Sequence, residues 1–322
     1  MDELVIGVDL GGTHMRVAVI DRQGVIIKRH KDLTLIREGV SHTKERLVQL
    51  CRNAIAEAVN QGGRTVAIGL GVAGKIDPVQ GRVIFSPNLP AMNNYPLGSE
   101  LERSLHLPVV LENDANMFGL GEHWVGTVRG MANCIGLTVG TGVGGCLILQ
   151  GALWQGDHLG FVGEIGHMII HPEGPVCACG ARGCLEAYAS GRALLEGVEA
   201  AATARQLTTG TLYECWKDGK LSPEKVYFCA REGDPTARQL FERLGWALGL
   251  TLANLFSVLG MHQAVIGGGV SAGWDQIIGP LRKSFSKYCR MLEVQNASIQ
   301  RSQLGDDAAL LGAARLAWQH KC

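Results

Sequence analysis

The feature that most constrains this chain is a glycine-rich stretch from Gly163 to Gly191, in which Cys177, Cys179 and Cys184 follow closely on His167. Three thiols and an imidazole are the donors that a four-coordinate zinc site takes, and Cys₃His fills all four positions, leaving none for an activated water. The stretch therefore predicts a closed, structural metal site. Gly180 and Gly183 give the loop the freedom to turn tightly enough for the thiolates to converge. His171 is a second nitrogen donor that spacing alone leaves open. Glu164 and Glu186 flank the ligands, so a metal here would rigidify a patch carrying two anionic acceptors, suited to a polyhydroxylated ligand.

Composition narrows the rest. The chain has 322 residues, 46% of them hydrophobic, enough for a large core and, by length, two domains. Thirty basic residues balance 30 acidic ones and no basic run occurs, which argues against nucleic acid as a partner. The start, Met1-Asp2-Glu3-Leu4-Val5-Ile6, lacks a basic segment followed by an apolar core and does not read as a secretory signal. Ten cysteines without a disulfide-like framework fit a reducing compartment, so the expected location is cytoplasmic. Leu244 to Gly260, the longest uncharged stretch, is short for a membrane span and contains Thr251, Asn254 and Ser257; a buried helix is expected there, and no membrane partner.

Taken in order, Leu4 to Asp9 and Arg16 to Ile20 read as strands joined by a tight Leu10-Gly11-Gly12-Thr13-His14 turn. Backbone N–H groups at such a tip can approach phosphate oxygens, and Asp9 at the strand end can hold magnesium through water. The turn is neither a Walker A loop nor a dinucleotide fingerprint. Apolar residues at 47, 50, 51, 54, 55, 58 and 59 predict a helix over Ser41 to Asn60, and Thr65 to Val72 predicts a buried strand. Asn88, between Pro87 and Leu89-Pro90, reads as a turn residue whose amide can reach a ligand. Pro108 to Leu111 is a strand, with Glu112-Asn113-Asp114 at the mouth of a helix running to about Trp124. Asp114 in that place is either the helix cap or a general base taking a proton from a substrate hydroxyl.

A second glycine hairpin, Gly140-Thr141-Gly142, lies within Ile135 to Ile148, and a third cluster, Gly267-Gly268-Gly269, ends a strand and opens a helix. Two phosphate-sized turns and a stretch of bare backbone for a nucleoside point to a nucleotide. Helices are expected over Gly191 to Ala202 and Asp234 to Gly260, with a helical insertion over Thr208 to Ala230 between them. A small-residue helix, Asp306 to Ala317, can pack closely on another element.

The order of these motifs, Asp9-Leu10-Gly11-Gly12-Thr13, Glu112-Asn113-Asp114, Gly140-Thr141-Gly142, Gly163-Glu164-Ile165-Gly166-His167, Cys177 to Glu186 and Gly267-Gly268-Gly269, resembles the ROK family of repressors and sugar kinases over nearly the whole chain. Within the family it is most similar to the bacterial glucokinases. The resemblance implies an α/β fold of the actin-like ATPase (ribonuclease H-like) kind with a structural zinc loop. Its smaller lobe would span 1–115 and 305–322, and its larger lobe 116–304. It implies ATP and a hexose as partners, with magnesium accompanying the ATP, and a homodimer or homotetramer.

Residue by residue, Asp114 matches the catalytic base, Asn113 a sugar-binding amide, and Glu164, His167 and Glu186 the residues that hold sugar hydroxyls. Gly74 and Asn88 match positions lining the sugar site. The resemblance also favours His167 over His171 as the metal ligand. The expected reaction is phosphorylation of the 6-hydroxyl of glucose. Two departures bear on the sugar. Pro90-Ala91-Met92-Asn93 lacks the Gly-Trp that many glucokinases carry after Asn-Leu-Pro, and Gly151-Ala152-Leu153-Trp154-Gln155-Gly156 is similar to allose kinase. Mannose, allose, fructose, N-acetylglucosamine and N-acetylmannosamine are the alternatives. A sugar-sensing regulator is the reading from another class; with a first strand at Leu4, no winged helix is expected before it.

Overall fold

The structure is a computed structural model that describes residues 1–157, 162–291 and 294–321. The chain forms two compact units, one of Met1–Gly136, Cys146–Gly163 and Ser302–Cys322, the other of Leu137–Gly145 and Glu164–Arg301.

The first unit begins with strands β1 (Asp2–Leu10), β2 (His14–Ile20) and β3 (Ile26–Leu33), an antiparallel meander. Helix α1 (Val40–Asn60) leads into β4 (Gly63–Val72), a two-stranded ribbon of β5 (Lys75–Asp77) and β6 (Arg82–Phe85), helix α2 (Leu97–Leu105), β7 (Val109–Asn113) and α3 (Asp114–Trp124). The sheet is ordered β3-β2-β1-β4-β7, with β1, β4 and β7 parallel. Side chains alternate along β1, as the pleat requires. Leu4, Ile6, Val8 and Leu10 join Leu47, Leu50 and Ala54 of α1 and Leu97 and Leu101 of α2 in one core. Val5, on the opposite face, joins Ala18, Ile20 and Ala67 in another.

Strands β8 (Cys134–Val139) and β9 (Val143–Leu149) carry the chain from the first unit to the second and back, for the unit boundary falls inside each. Strand β10 (Ala152–Leu153) follows. The second unit then runs through α4 (Glu186–Ala189), α5 (Gly191–Thr203), α6 (Thr211–Lys217), α7 (Pro223–Glu232), α8 (Pro235–Leu259), β11 (Gln263–Gly267), α9 (Trp274–Tyr288) and β12 (Ser298–Arg301). The second sheet is ordered β10-β9-β8-β11-β12.

Helix α8 shows why a local sequence sets its own limits. Asp234 caps it by accepting from Ala237 N at 2.8 Å, Pro235 occupies the first turn, and Gly260 ends it at φ 64°. Its inner face carries Phe241, Leu244, Leu248, Leu252 and Phe256, all buried, and the Phe256 ring meets Phe285 of α9 edge-on at 5.4 Å. The Thr208 to Ala230 insertion is helical but broken between α6 and α7. Among the described residues no helix is long and apolar enough to cross a membrane.

The chain closes the first unit with α10 (Asp307–Lys321), whose Leu310, Leu311, Ala314 and Trp318 complete the Val5 core. The close approach expected of its small residues is met from the sheet side as well. A Cβ at Gly69 of β4 would stand 1.8 Å from the Ala313 carbonyl oxygen, so the helix backbone rests directly on the strand.

Candidate active site

Each unit carries its own group of the residues singled out above. In the first unit, Asp9 lies at the end of β1, largely buried, with Arg16 Nε at 3.8 Å from its Oδ2. Arg16 also reaches Asp306, through Nη1 to Oδ2 at 3.2 Å. Burial raises the pKa of Asp9 above the usual carboxylate range, against the opposing pull of Arg16 and with a smaller upward push from Asp306. A carboxylate in this position gains from an added cation.

The Gly11-Gly12-Thr13 tip between β1 and β2 is closed by Gly11 N donating to His14 O at 3.0 Å. Thr34, fully buried, fastens it from outside. Its Oγ1 donates to Gly11 O at 2.7 Å and its N to Thr13 O at 2.9 Å. Thr34 escaped sequence reasoning because it follows a polar strand and no motif includes it. The exposed Asn88 lies beside the tip, its carbonyl oxygen 2.9 Å from where a Cβ on Gly12 would stand.

Gly74 is joined to the β7–α3 corner, since Asn113 Nδ2 donates to Gly74 O at 2.7 Å. The loop holding Asn88 is tied to the same turn by Ser86, which is fully buried, donates to Ala73 O at 2.5 Å and accepts from Leu89 N at 3.0 Å. Ser86→Ala leaves both backbone groups without a partner and is expected to lower stability by about 1–3 kcal/mol. A urea melt checks this: the midpoint falls with an unchanged slope, whereas an unmoved midpoint rejects it.

At the corner itself the cap of α3 is Asn113, not Asp114. Asn113 Oδ1 accepts from Ala115 N at 2.8 Å and Asn116 N at 3.3 Å. Asp114 is the first helical residue, half-buried, its Oδ1 2.9 Å from Ala115 N. The first turn of a helix favours negative charge. Glu112, just before, is fully buried, and its carboxylate accepts from Asn113 N at 2.8 Å, Asn116 Nδ2 at 3.1 Å and Gln155 Nε2 at 2.7 Å.

In the second unit, the Gly140-Thr141-Gly142 turn is held on two sides. Gly191 N at the start of α5 donates to Gly140 O at 2.7 Å, and Glu186 Oε2 accepts from Val143 N at 2.9 Å. A Cβ on Gly142 would stand 2.2 Å from Glu186 Oε2, so only glycine admits the carboxylate there. Gly267 ends β11, and Gly268 and Gly269 are exposed, with Gly268 at φ 84° against the Val139 carbonyl. Pro223 and Val270 approach Gly191, so the second and third glycine clusters share one neighbourhood.

The cysteine loop folds on itself as its glycines allow. Gly180 has φ 90° and Gly183 φ 74°, and a Cβ on Gly183 would collide with the His171 carbonyl oxygen. One ligand atom each from His167, Cys177, Cys179 and Cys184 lies within 4.8 Å of the others. Cys179 and Cys184 Sγ are 3.7 Å apart, as are Cys177 Sγ and His167 Nδ1. Thiolates about 2.3 Å from a tetrahedral centre stand about 3.8 Å apart, so these separations are those of a four-coordinate metal site. Among the described residues His171 is not part of the group. Burial pushes the Cys184 thiol up to about 12 and raises Cys177 too, whereas the Ala181 N–H lowers Cys179. A bound cation would offset that cost of holding three thiolates together.

The remaining nitrogen of His167, Nε2, faces Glu164 Oε2 at 3.9 Å, and Glu186 Oε1 lies 3.9 Å from Cys177 Sγ. Glu164, His167 and Glu186 are thus one continuous patch with the metal-binding group.

The ROK family model matches residues 5–320 of this chain. The glucokinase of Thermotoga maritima is 36% identical over 317 residues, covering 97% of this chain and 96% of that protein. Among solved structures, the ROK hexokinase of Thermus thermophilus superposes with a TM-score of 0.81 at 33% identity, covering 99% of each chain. A ROK family glucokinase of Streptomyces griseus, solved in complex with glucose and AMPPNP, superposes with a TM-score of 0.79 at 34% identity, covering 98% of this chain and 99% of that one.

Proposed function

From the premise that the chain belongs to the ROK family, we propose that it is an ATP-dependent hexose kinase that phosphorylates the 6-hydroxyl of glucose, with Asp114 as general base. Its fold is the actin-like ATPase fold of that family. The observation that carries the reading is the β7–α3 corner. Asn113 caps α3 and so sets Asp114, half-buried, as the first residue of the helix, a carboxylate beside the Asn113 amide where a general base of a substrate hydroxyl would stand. The end-to-end likeness to a glucokinase solved with glucose and an ATP analogue supports the choice of both substrates.

Asp114 accepts the proton of the sugar's primary hydroxyl as that oxygen attacks the γ-phosphorus of ATP, and the bond to the β–γ bridging oxygen breaks to release ADP. Asn113, Asn88, Glu164, His167 and Glu186 hold the sugar's hydroxyls, with Gly74 lining the site. The turns at Gly11-Gly12-Thr13 and Gly140-Thr141-Gly142 offer backbone N–H groups to phosphate oxygens, and Gly267-Gly268-Gly269 offers bare backbone to the nucleoside. Asp9, a largely buried carboxylate with Arg16 at 3.8 Å, fits a water-mediated magnesium site. Magnesium supplies neutralisation of charge on the phosphates when bound.

The Cys177, Cys179, Cys184 and His167 donor set fits zinc in a structural role. His167 serves both purposes, Nδ1 toward the metal and Nε2 toward Glu164 and the sugar. The working form proposed is a cytoplasmic homodimer or homotetramer.

The test is ADP release from ATP and magnesium with glucose, mannose, allose, fructose, N-acetylglucosamine or N-acetylmannosamine, against a blank without sugar. Glucose is expected to give the highest kcat/KM. A different winner keeps the chemistry and replaces the sugar, and no turnover with any of them overturns the kinase reading in favour of a sugar sensor.

A further inference from the structure

Glu112 is a carboxylate with 1% exposure and, among the described residues, no cationic partner within ion-pair distance. Such a group persists as an acceptor only where several donors converge on it. Two of its donors belong to its own corner, Asn113 N at 2.8 Å and Asn116 Nδ2 at 3.1 Å, and both reach Oε1. The third comes from far along the chain. Gln155 Nε2 donates to Oε2 at 2.7 Å, and Gln155 is itself exposed, in the segment that follows β10.

One carboxylate therefore ties the backbone of Asn113, next to the base, to a surface segment that includes Trp154 and Gly156. A hydrogen bond from a neutral amide to a buried charge is strong and directional, so the clasp fixes where the segment lies relative to Asn113.

We propose that Gln155 is a positioning residue for sugar binding: its bond to Glu112 holds segment 152–157 against the Asn113–Asp114 corner, and sugar affinity depends on that hold. The proposal rests on the kinase reading above. Gln155 takes no part in proton transfer, and the clasp involves none of the nucleotide turns. Its loss therefore weakens sugar binding while phosphoryl transfer at saturation and ATP affinity stay as they were.

The experiment measures kcat, KM for sugar and KM for ATP in Gln155→Ala, Gln155→Glu and the exchanged pair Glu112→Gln with Gln155→Glu. Gln155→Ala removes the donor, and Gln155→Glu sets a second carboxylate against Glu112. Losing a hydrogen bond to a charged group corresponds to roughly ten- to a hundred-fold in affinity, so the sugar KM should rise by about that factor, more for Gln155→Glu than for Gln155→Ala. The exchanged pair puts an amide opposite a carboxylate again and should recover most of the loss.

Unchanged sugar KM in both single Gln155 variants overturns the proposal, as does an equal fall of kcat and rise of ATP KM, which would mark general loss of structure. Gln155 is exposed, so its single variants are expected to fold even where Glu112→Gln does not. An inactive wild type defeats the kinase reading, whereas an active wild type with unshifted variants defeats this proposal alone.

Discussion

Asp114→Asn is expected to lower kcat about 10²–10⁴-fold, the size typical of a removed general base. The exchange is nearly isosteric, and the new Oδ1 still meets the Ala115 N–H that Asp114 meets at 2.9 Å. Asn113 continues to cap α3, so the helix start is retained. What disappears is the negative charge, worth about 0.3–1 kcal/mol at a helix start, and the ability to take a proton. Thermal stability should therefore change little, metal content should not change, and sugar KM should stay close to that of the parent enzyme. Measuring kcat at saturating ATP and sugar beside a melting curve and elemental analysis separates these effects. A variant retaining most of its turnover would show that another group takes the proton.

Cys179→Ser is expected to remove the metal and much of the second unit's stability together, because the loop's fold and metal binding are one equilibrium. The loop is pinned at its base by backbone pairing, such as Gly183 N to Pro175 O at 2.9 Å and Leu185 N to Met168 O at 2.9 Å, but at its tip the bonds are those of tight turns, such as Gly180 N to Cys177 O at 2.9 Å, and Cys179 there is exposed. Loss of a structural metal belongs with the largest single-site effects, on the order of 4 kcal/mol, or roughly 10 °C in a protein of this size. Elemental analysis and a melting curve on the same sample check both halves. Unchanged metal content would show that Cys179 is not a ligand. His171→Ala provides the control, since its ring stands outside the four-residue group and its removal should leave the metal in place.

Much of this arrangement could be read from the sequence because the relevant physics is local. The alternation along β1, the helical spacing of α1 and the glycines of the hairpin turns each depend on a few neighbouring residues. The cysteines were likewise legible as a metal loop, but the choice between His167 and His171 was not. It depends on how the chain folds back at Gly183, which brings the His171 backbone, rather than its ring, beneath the turn.

Strand β3 shows another limit. Its Lys28, Arg29, Lys31 and Asp32 give no apolar run, because an edge strand is protected by charge rather than marked by burial. Sequence also left Asp114 as either cap or base. The cap fell to Asn113 because β7 extends through it, so that helical geometry starts one residue later. The bond between Glu112 and Gln155 spans 43 positions and lies beyond any local pattern.

The most direct test of the account is to identify the product. Incubating the wild-type protein with glucose, ATP and magnesium and following the reaction by phosphorus NMR should yield one sugar monoester per ADP, carried on the 6-oxygen. A phosphate on the anomeric oxygen, or ADP formation that does not depend on sugar, would contradict the assignment of Asp114 as the base for a primary hydroxyl.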